Sequence, residues 1–126
     1  MELIILSYNN EQKGELKVES NYGKFNVLWD GELPSIGERV DVELDIDNNL
    51  TWDKDIYLAK NDELQIQQTK EKTVIQGRLE EVSNDGFTVL RLSDSIITFV
   101  AKGLALPINS IIQIKVSNIK AYPTNY

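Results

Sequence analysis

The run Val40-Asp41-Val42-Glu43-Leu44-Asp45-Ile46-Asp47 constrains this chain more than any other stretch. Apolar and acidic residues alternate at strict period two. A helix would spread both sets around its circumference, whereas a strand sends them to opposite faces. The segment is therefore expected to be a half-buried strand, with a core on one side and carboxylates on the other. Same-side neighbours on such a strand stand roughly 7 Å apart. Like charges on one strand face repel, and Asp is a poor strand former. A solvated face explains the pattern in the simplest way, and an electrostatic docking surface is the functional alternative.

Period two recurs along the chain. Phe25, Val27 and Trp29 share a face, and so do Leu50, Trp52, Ile56 and Leu58, with Lys54 the exception. Thr88, Leu90 and Leu92 oppose Phe87 and Val89, and Ile111–Val116 is another β-rich run. Asn84-Asp85-Gly86 between two such runs is a hairpin signal. Asn21-Tyr22-Gly23, Asp47-Asn48-Asn49 and Ser93-Asp94-Ser95 punctuate the rest. Lys60–Lys72 is the best helical window, although Leu64-Gln65-Ile66-Gln67 reads equally well as strand. The expected fold is all-β and mainly antiparallel, a sandwich or small barrel of about nine or ten short strands with little helix.

A chain of 126 residues suits one domain. Residues 1–126 are expected to form a single unit of two packed β-meanders, about 1–59 and about 70–126. A faint internal echo joins them. Leu33-Pro34-Ser35-Ile36-Gly37-Glu38-Arg39-Val40-Asp41-Val42 resembles Leu106-Pro107-Ile108-Asn109-Ser110-Ile111-Ile112-Gln113-Ile114. In both, Leu-Pro ends a meander, a short turn follows and a long strand begins. Convergent turn chemistry accounts for this more readily than duplication.

The chain has neither cysteine nor histidine. That excludes disulfides, Cys/His zinc sites, Ser-His-Asp and Cys-His nucleophiles, and imidazole acid–base pairs. A carboxylate pair of glycosidase type needs a carboxyl isolated in an apolar setting, and the acids here crowd together on a strand face. Asp45–Asp55 offers oxygen ligands at alternating positions, but Leu50 and Ile56 occupy the places where a calcium loop needs Gly and Glu. The protein is expected to be no enzyme and to use no cofactor or metal. Its N-terminus carries no basic n-region, and no apolar run approaches a membrane span. A cytoplasmic location without membrane contact is the expectation.

Charge is the remaining signal. There are 13 Lys plus Arg against 20 Asp plus Glu, a net charge of -7. Residues 30–63 alone hold eleven acids and three bases. Such a field repels phosphate backbones and attracts cations. The candidate partner-binding residues are Asp30, Glu32, Asp41, Glu43, Asp45, Asp47, Asp53 and Asp55, with Trp52 and Tyr57 as aromatic anchors. Trp29, Trp52 and Tyr57 read more simply as core residues that become anchors if partly exposed, and the terminal Tyr122-Pro123-Thr124-Asn125-Tyr126 reads more simply as packing, with partner contact the alternative.

Gly37–Asp47 followed by Leu50-Thr51-Trp52-Asp53-Lys54-Asp55-Ile56 resembles the small acidic immunity proteins of bacterial toxin–immunity pairs, contact-dependent growth inhibition systems among them. The resemblance covers about residues 24–60 and lies in general character, namely acidic alternating strands, small size and no catalytic residues. It implies a protein that binds a cognate cationic toxin, such as a nuclease, in the cytoplasm and blocks its active site. The alternative is a non-enzymatic OB-like barrel module that binds another protein or single-stranded nucleic acid. Phe87, Phe99, Arg78, Arg91 and Lys102 would serve the latter. The overall charge makes nucleic acid the less favoured partner.

Overall fold

The computed structural model describes residues 1–124; Asn125 and Tyr126, the end of the terminal segment singled out above, lie outside the described residues. The chain is all-β, with twelve strands and no helix among the described residues. In order they are β1 (Glu2–Asn10), β2 (Glu15–Ser20), β3 (Gly23–Trp29), β4 (Arg39–Asp45), β5 (Leu50–Thr51), β6 (Ile56–Leu58), β7 (Gln65–Gln68), β8 (Thr73–Val82), β9 (Phe87–Leu92), β10 (Ser95–Lys102), β11 (Ile111–Val116) and β12 (Lys120–Pro123). The helical window resolves as β7 flanked by loops, and no helix in the described residues is long and apolar enough to cross a membrane.

Five strands close a barrel. β1, β2 and β3 form an antiparallel meander. β12 pairs in parallel with β3 and antiparallel with β4, and β4 returns to β1. Leu3, Ile5, Leu16, Val18, Phe25, Val27, Val42, Leu44 and Ala121 are buried, and each sits at an alternate position of its strand. This is the period two of the sequence converted into an interior. Ring closure matters because β3 and β4 would otherwise expose rows of unpaired N–H and C=O groups.

The remaining strands repeat this plan. β8, β9 and β10 form a second meander, and β11 pairs with the other side of β8. Two short pieces complete the ring: β6 pairs with β11, β5 pairs in parallel with β10, and a bridge between Trp52 and Ile56 joins them. Ile75, Leu79, Leu90, Leu92, Ile97, Phe99, Ile112 and Ile114 are buried, along with Ile56. β10 also pairs in parallel with β4, so the two rings share one continuous sheet.

The correspondence between the halves reaches individual hydrogen bonds. The Ile5 amide donates to Glu38 and the Leu79 amide to Ser110. The Gly37 amide donates to Ile5 and the Asn109 amide to Leu79, and Gly37 and Asn109 both have positive φ. Glu38 donates to Ser35, as Ser110 donates to Pro107. Trp29 donates to Gly14, as Ala101 donates to Gly86. From Glu11 to Val42 the partners lie 72 residues apart. The Leu-Pro echo is thus one piece of a longer structural repeat, and its phase is one residue from the apparent match: Pro34 corresponds to Leu106, not to Pro107.

The fifth strands are exchanged. The segment following β4 in the chain is β5–β6, yet it closes the second barrel. The segment following β11 is β12, and it closes the first. The expected single strand Leu50–Leu58 is broken in the process. Asp53 takes a positive φ of 69°, and the Thr51 amide donates to the Asp55 carboxylate at 2.9 Å, which turns the chain between β5 and β6. Leu50, Trp52 and Ile56 remain buried, whereas Leu58 faces out.

Candidate interaction face

β4 places its acids as its alternation demands. Asp41 and Glu43 are exposed, Asp45 is half-buried at the strand end, and Asp47 follows it. Register decides what stands beside them. Glu43 lies opposite Tyr122 of β12, Asp45 is flanked by Lys120 of β12 and Thr98 of β10, and Asp41 lies opposite Glu2 of β1. Ile96 is 42% exposed, and continuing the β10–β4 register one step past the Ile97–Leu44 pair sets it on the flank of Glu43 away from Tyr122. Val100 and its cross-strand partner Phe87 continue the exposed apolar surface on β10 and β9.

The row of carboxylates is less free than its sequence suggests. The Met1 amino group donates to Asp41 at 3.1 Å. Thr98 Oγ1 donates to Asp45 at 3.3 Å. Lys120 pairs with Asp47, and the adjacent Glu2 pairs with Arg39 at 3.2 Å. Glu43 is the one acid of the four whose carboxylate makes no hydrogen bond or ion pair with a described residue. Burial pushes the Asp45 carboxyl above the ordinary carboxylate range, and the hydrogen bond and charge of Asp47 add to that shift. The Lys120 ammonium holds Asp47 below that range, and Asp47 in turn raises Lys120.

The other expected residues fall into two further places. Asp30 and Glu32 lie in the β3–β4 connection. With Trp29, Glu38, Val40 and Tyr122 they line a hollow of about 670 Å³ at the mouth of the first barrel. Tyr122 joins this hollow to the β4 face. Trp29 is buried, and its indole N–H donates to the Glu32 carbonyl at 3.0 Å. Trp52, Asp53, Asp55 and Tyr57 do not join the acidic face. Trp52 is 6% exposed inside the second barrel, Asp55 holds the β5–β6 turn, and Tyr57 lies on β6 across β11 from β8. The expected patch therefore divides, because the chain leaves the first barrel after Asp47. Among the described residues, no group of acidic side chains is placed to hold a metal ion.

Sequence reasoning missed Tyr122, Ile96 and Glu38 as parts of this surface. Tyr122 carries a signal only once β12 is known to lie against β4, a pairing between residues 75 or more positions apart that no local pattern encodes. The chain matches no known family model, no curated protein and no solved structure.

Proposed function

We propose that the chain is a non-enzymatic binding protein of the immunity type, which engages a cationic protein such as a nuclease toxin through the outer face of β12, β4 and β10. One observation carries this reading: Glu43 stands exposed between Tyr122 and Ile96. An unpaired carboxylate steers a basic partner, and the aromatic and aliphatic side chains beside it supply area to bury. Asp30, Glu32 and Glu38 extend the same sign of charge around Tyr122. Asp41, Asp45 and Asp47 add less than their number suggests, since each already has a partner.

The test is capture of a basic protein from extracts of the source cell, on the wild-type chain and on a Glu32→Lys/Glu43→Lys variant. A captured partner should associate with wild type at a rate that falls steeply with added salt, and the reversal should slow association about tenfold or more. The partner's activity should be blocked by wild type. Equal rates for both chains, or rates indifferent to salt, would overturn the proposal.

The closed five-stranded barrel favours a second reading, an OB-like module for single-stranded nucleic acid. Of the residues named for such a module, Arg78 and Arg91 are engaged with Glu80 and Phe99 is buried, while Lys102 makes no ion pair with a described residue and Phe87 is exposed. Saturable, salt-sensitive binding of fluorescently labelled oligo-dT, read by anisotropy at physiological salt, would support this reading against the first.

A further inference from the structure

The structural repeat allows the two barrels to be compared position by position. On the outside of the first barrel, β4 carries Asp41 and Glu43, with Glu2 opposite Asp41 on β1. The corresponding positions of the second barrel are Gln113 and Lys115 on β11, with Gln76 opposite Gln113 on β8. Each of these three acids is replaced by an amide or a cation on the second.

These substitutions lie in a built recess. Tyr57, Gln113, Gln76 and Gln65 are direct cross-strand partners in β6, β11, β8 and β7, so four side chains form one row across four strands. The connection between β6 and β7 arches over one end of this row. Gln76 is 2% exposed beneath it. Its Nε2 donates to the Asn61 carbonyl at 3.2 Å, the Asn61 Oδ1 at 2.7 Å and the Glu63 carbonyl at 2.8 Å. Its Oε1 accepts from Gln113 at 3.4 Å. The row is thereby held in one arrangement before anything binds. Between arch and sheet is a cavity of about 550 Å³, lined by these residues together with Leu58, Lys60 and Lys115. Sites for small ligands commonly measure roughly 300–1,000 Å³.

The charge of the lining indicates the ligand. Lys60 and Lys115 border the cavity and make no ion pair with a described residue, in a chain whose net charge is -7. The Gln76 Nε2 hydrogens are spent on the arch, but the two ammonium groups and the amide N–H groups of Gln65 and Gln113 are donors, and an anion accepts from both kinds. We infer that this cavity is a second binding site, separate from the acidic face, that takes a small ligand bearing an anionic group, a carboxylate or a phosphate. The amide row would hold the polar body of the ligand and Tyr57 would cover one flank.

The side-chain amide signals of Gln65, Gln76, Gln113 and Asn61 report directly on the cavity in proton–nitrogen correlation spectra of the full chain. Titration with inorganic phosphate, and separately with succinate, is compared with sodium chloride at matched ionic strength. The proposal expects saturable shifts of the Gln113 and Gln76 signals with at least one of the two anions. Which anion saturates at lower concentration distinguishes phosphate from carboxylate. A Lys60→Met/Lys115→Met variant should weaken that binding about tenfold or more, since charge-assisted hydrogen bonds are lost. A Lys17→Met variant, altered on β2 of the other barrel, should leave it unchanged. Shifts that follow ionic strength alone, or equal affinity in the double variant with its spectrum otherwise intact, would overturn the proposal.

Discussion

Exchange of the fifth strands should make the two barrels unfold as one unit, and Ile56 is the place to test this. Ile56 is 0% exposed, belongs to the first half of the chain, and packs in the second barrel. Ile56→Ala removes three buried carbons, worth about 0.8 kcal/mol each in transfer. With the cavity left behind the total is about 3 kcal/mol, within the roughly 2–5 kcal/mol range of such truncations. At a urea dependence of about 1.5–2 kcal/mol per molar, the midpoint should fall by about 1.5–2 M. Trp29 reports on the first barrel and Trp52 on the second. In Trp52→Phe and Trp29→Phe backgrounds each transition is read alone by fluorescence. Ile56→Ala should move the Trp29 transition as far as the Trp52 transition. If the Trp52 midpoint falls while the Trp29 midpoint stays in place, the barrels are independent and the interlock argument fails.

Three further predictions concern the local chemistry. Gly86 has φ +89°, and a Cβ there would lie 2.4 Å from the Ala101 carbonyl oxygen, whereas Gly37 at φ +88° has open space around it. Gly86→Ala should therefore lower the urea midpoint clearly more than Gly37→Ala, whose cost is about 1 kcal/mol of backbone strain; equal losses would contradict the geometry. Asp45, with its raised carboxyl, is a stabiliser when protonated and a cost once ionised, so its contribution falls as pH rises through the carboxylate range. Asp45→Asn should raise the urea midpoint at pH 7 and leave it nearly unchanged at pH 3, and a gain of the same size at both pH values would refute this. The depressed Asp47 has the opposite sign: its contribution is present above the carboxylate range and is lost as pH falls through it. Lys120→Met should therefore destabilise at pH 7 and not at pH 2, as measured by thermal melting at both.

What the sequence made legible was short-range. Val40–Asp47, Phe25–Trp29 and the Asn84-Asp85-Gly86 hairpin fold as their alternation and turn chemistry demand, because each depends on neighbours within a few residues. The outward face of β4 was legible for the same reason. The ownership of strands was not. Nothing between Leu50 and Leu58 states that these residues pair with β10 and β11, and nothing in Lys120–Pro123 states that they close the first barrel. Alternation specifies which side of a strand is wet, but it is silent on which strand lies beside it. Hence the candidate site was right about the orientation of Asp41 and Glu43, included Trp52, Asp53, Asp55 and Tyr57, which lie elsewhere, and lacked Tyr122. The partial neutralisation of the acids was hidden in the same way, since Lys120 and the Met1 amine reach them through the fold.

The placement of β12 between β3 and β4 has a consequence during synthesis. The N-terminal ring has four of its five staves by Asp45, but the last arrives only with residues 120–123. Translation at about 5–20 residues per second leaves that gap open for several seconds, with one flank of β3 and one of β4 unsealed. A nascent chain in this condition is a template for any stray extended segment, including the same stretch of a neighbouring polypeptide on the same message. Two identical unfinished copies would both present the β4 carboxylates, and like charges brought together in that way would repel.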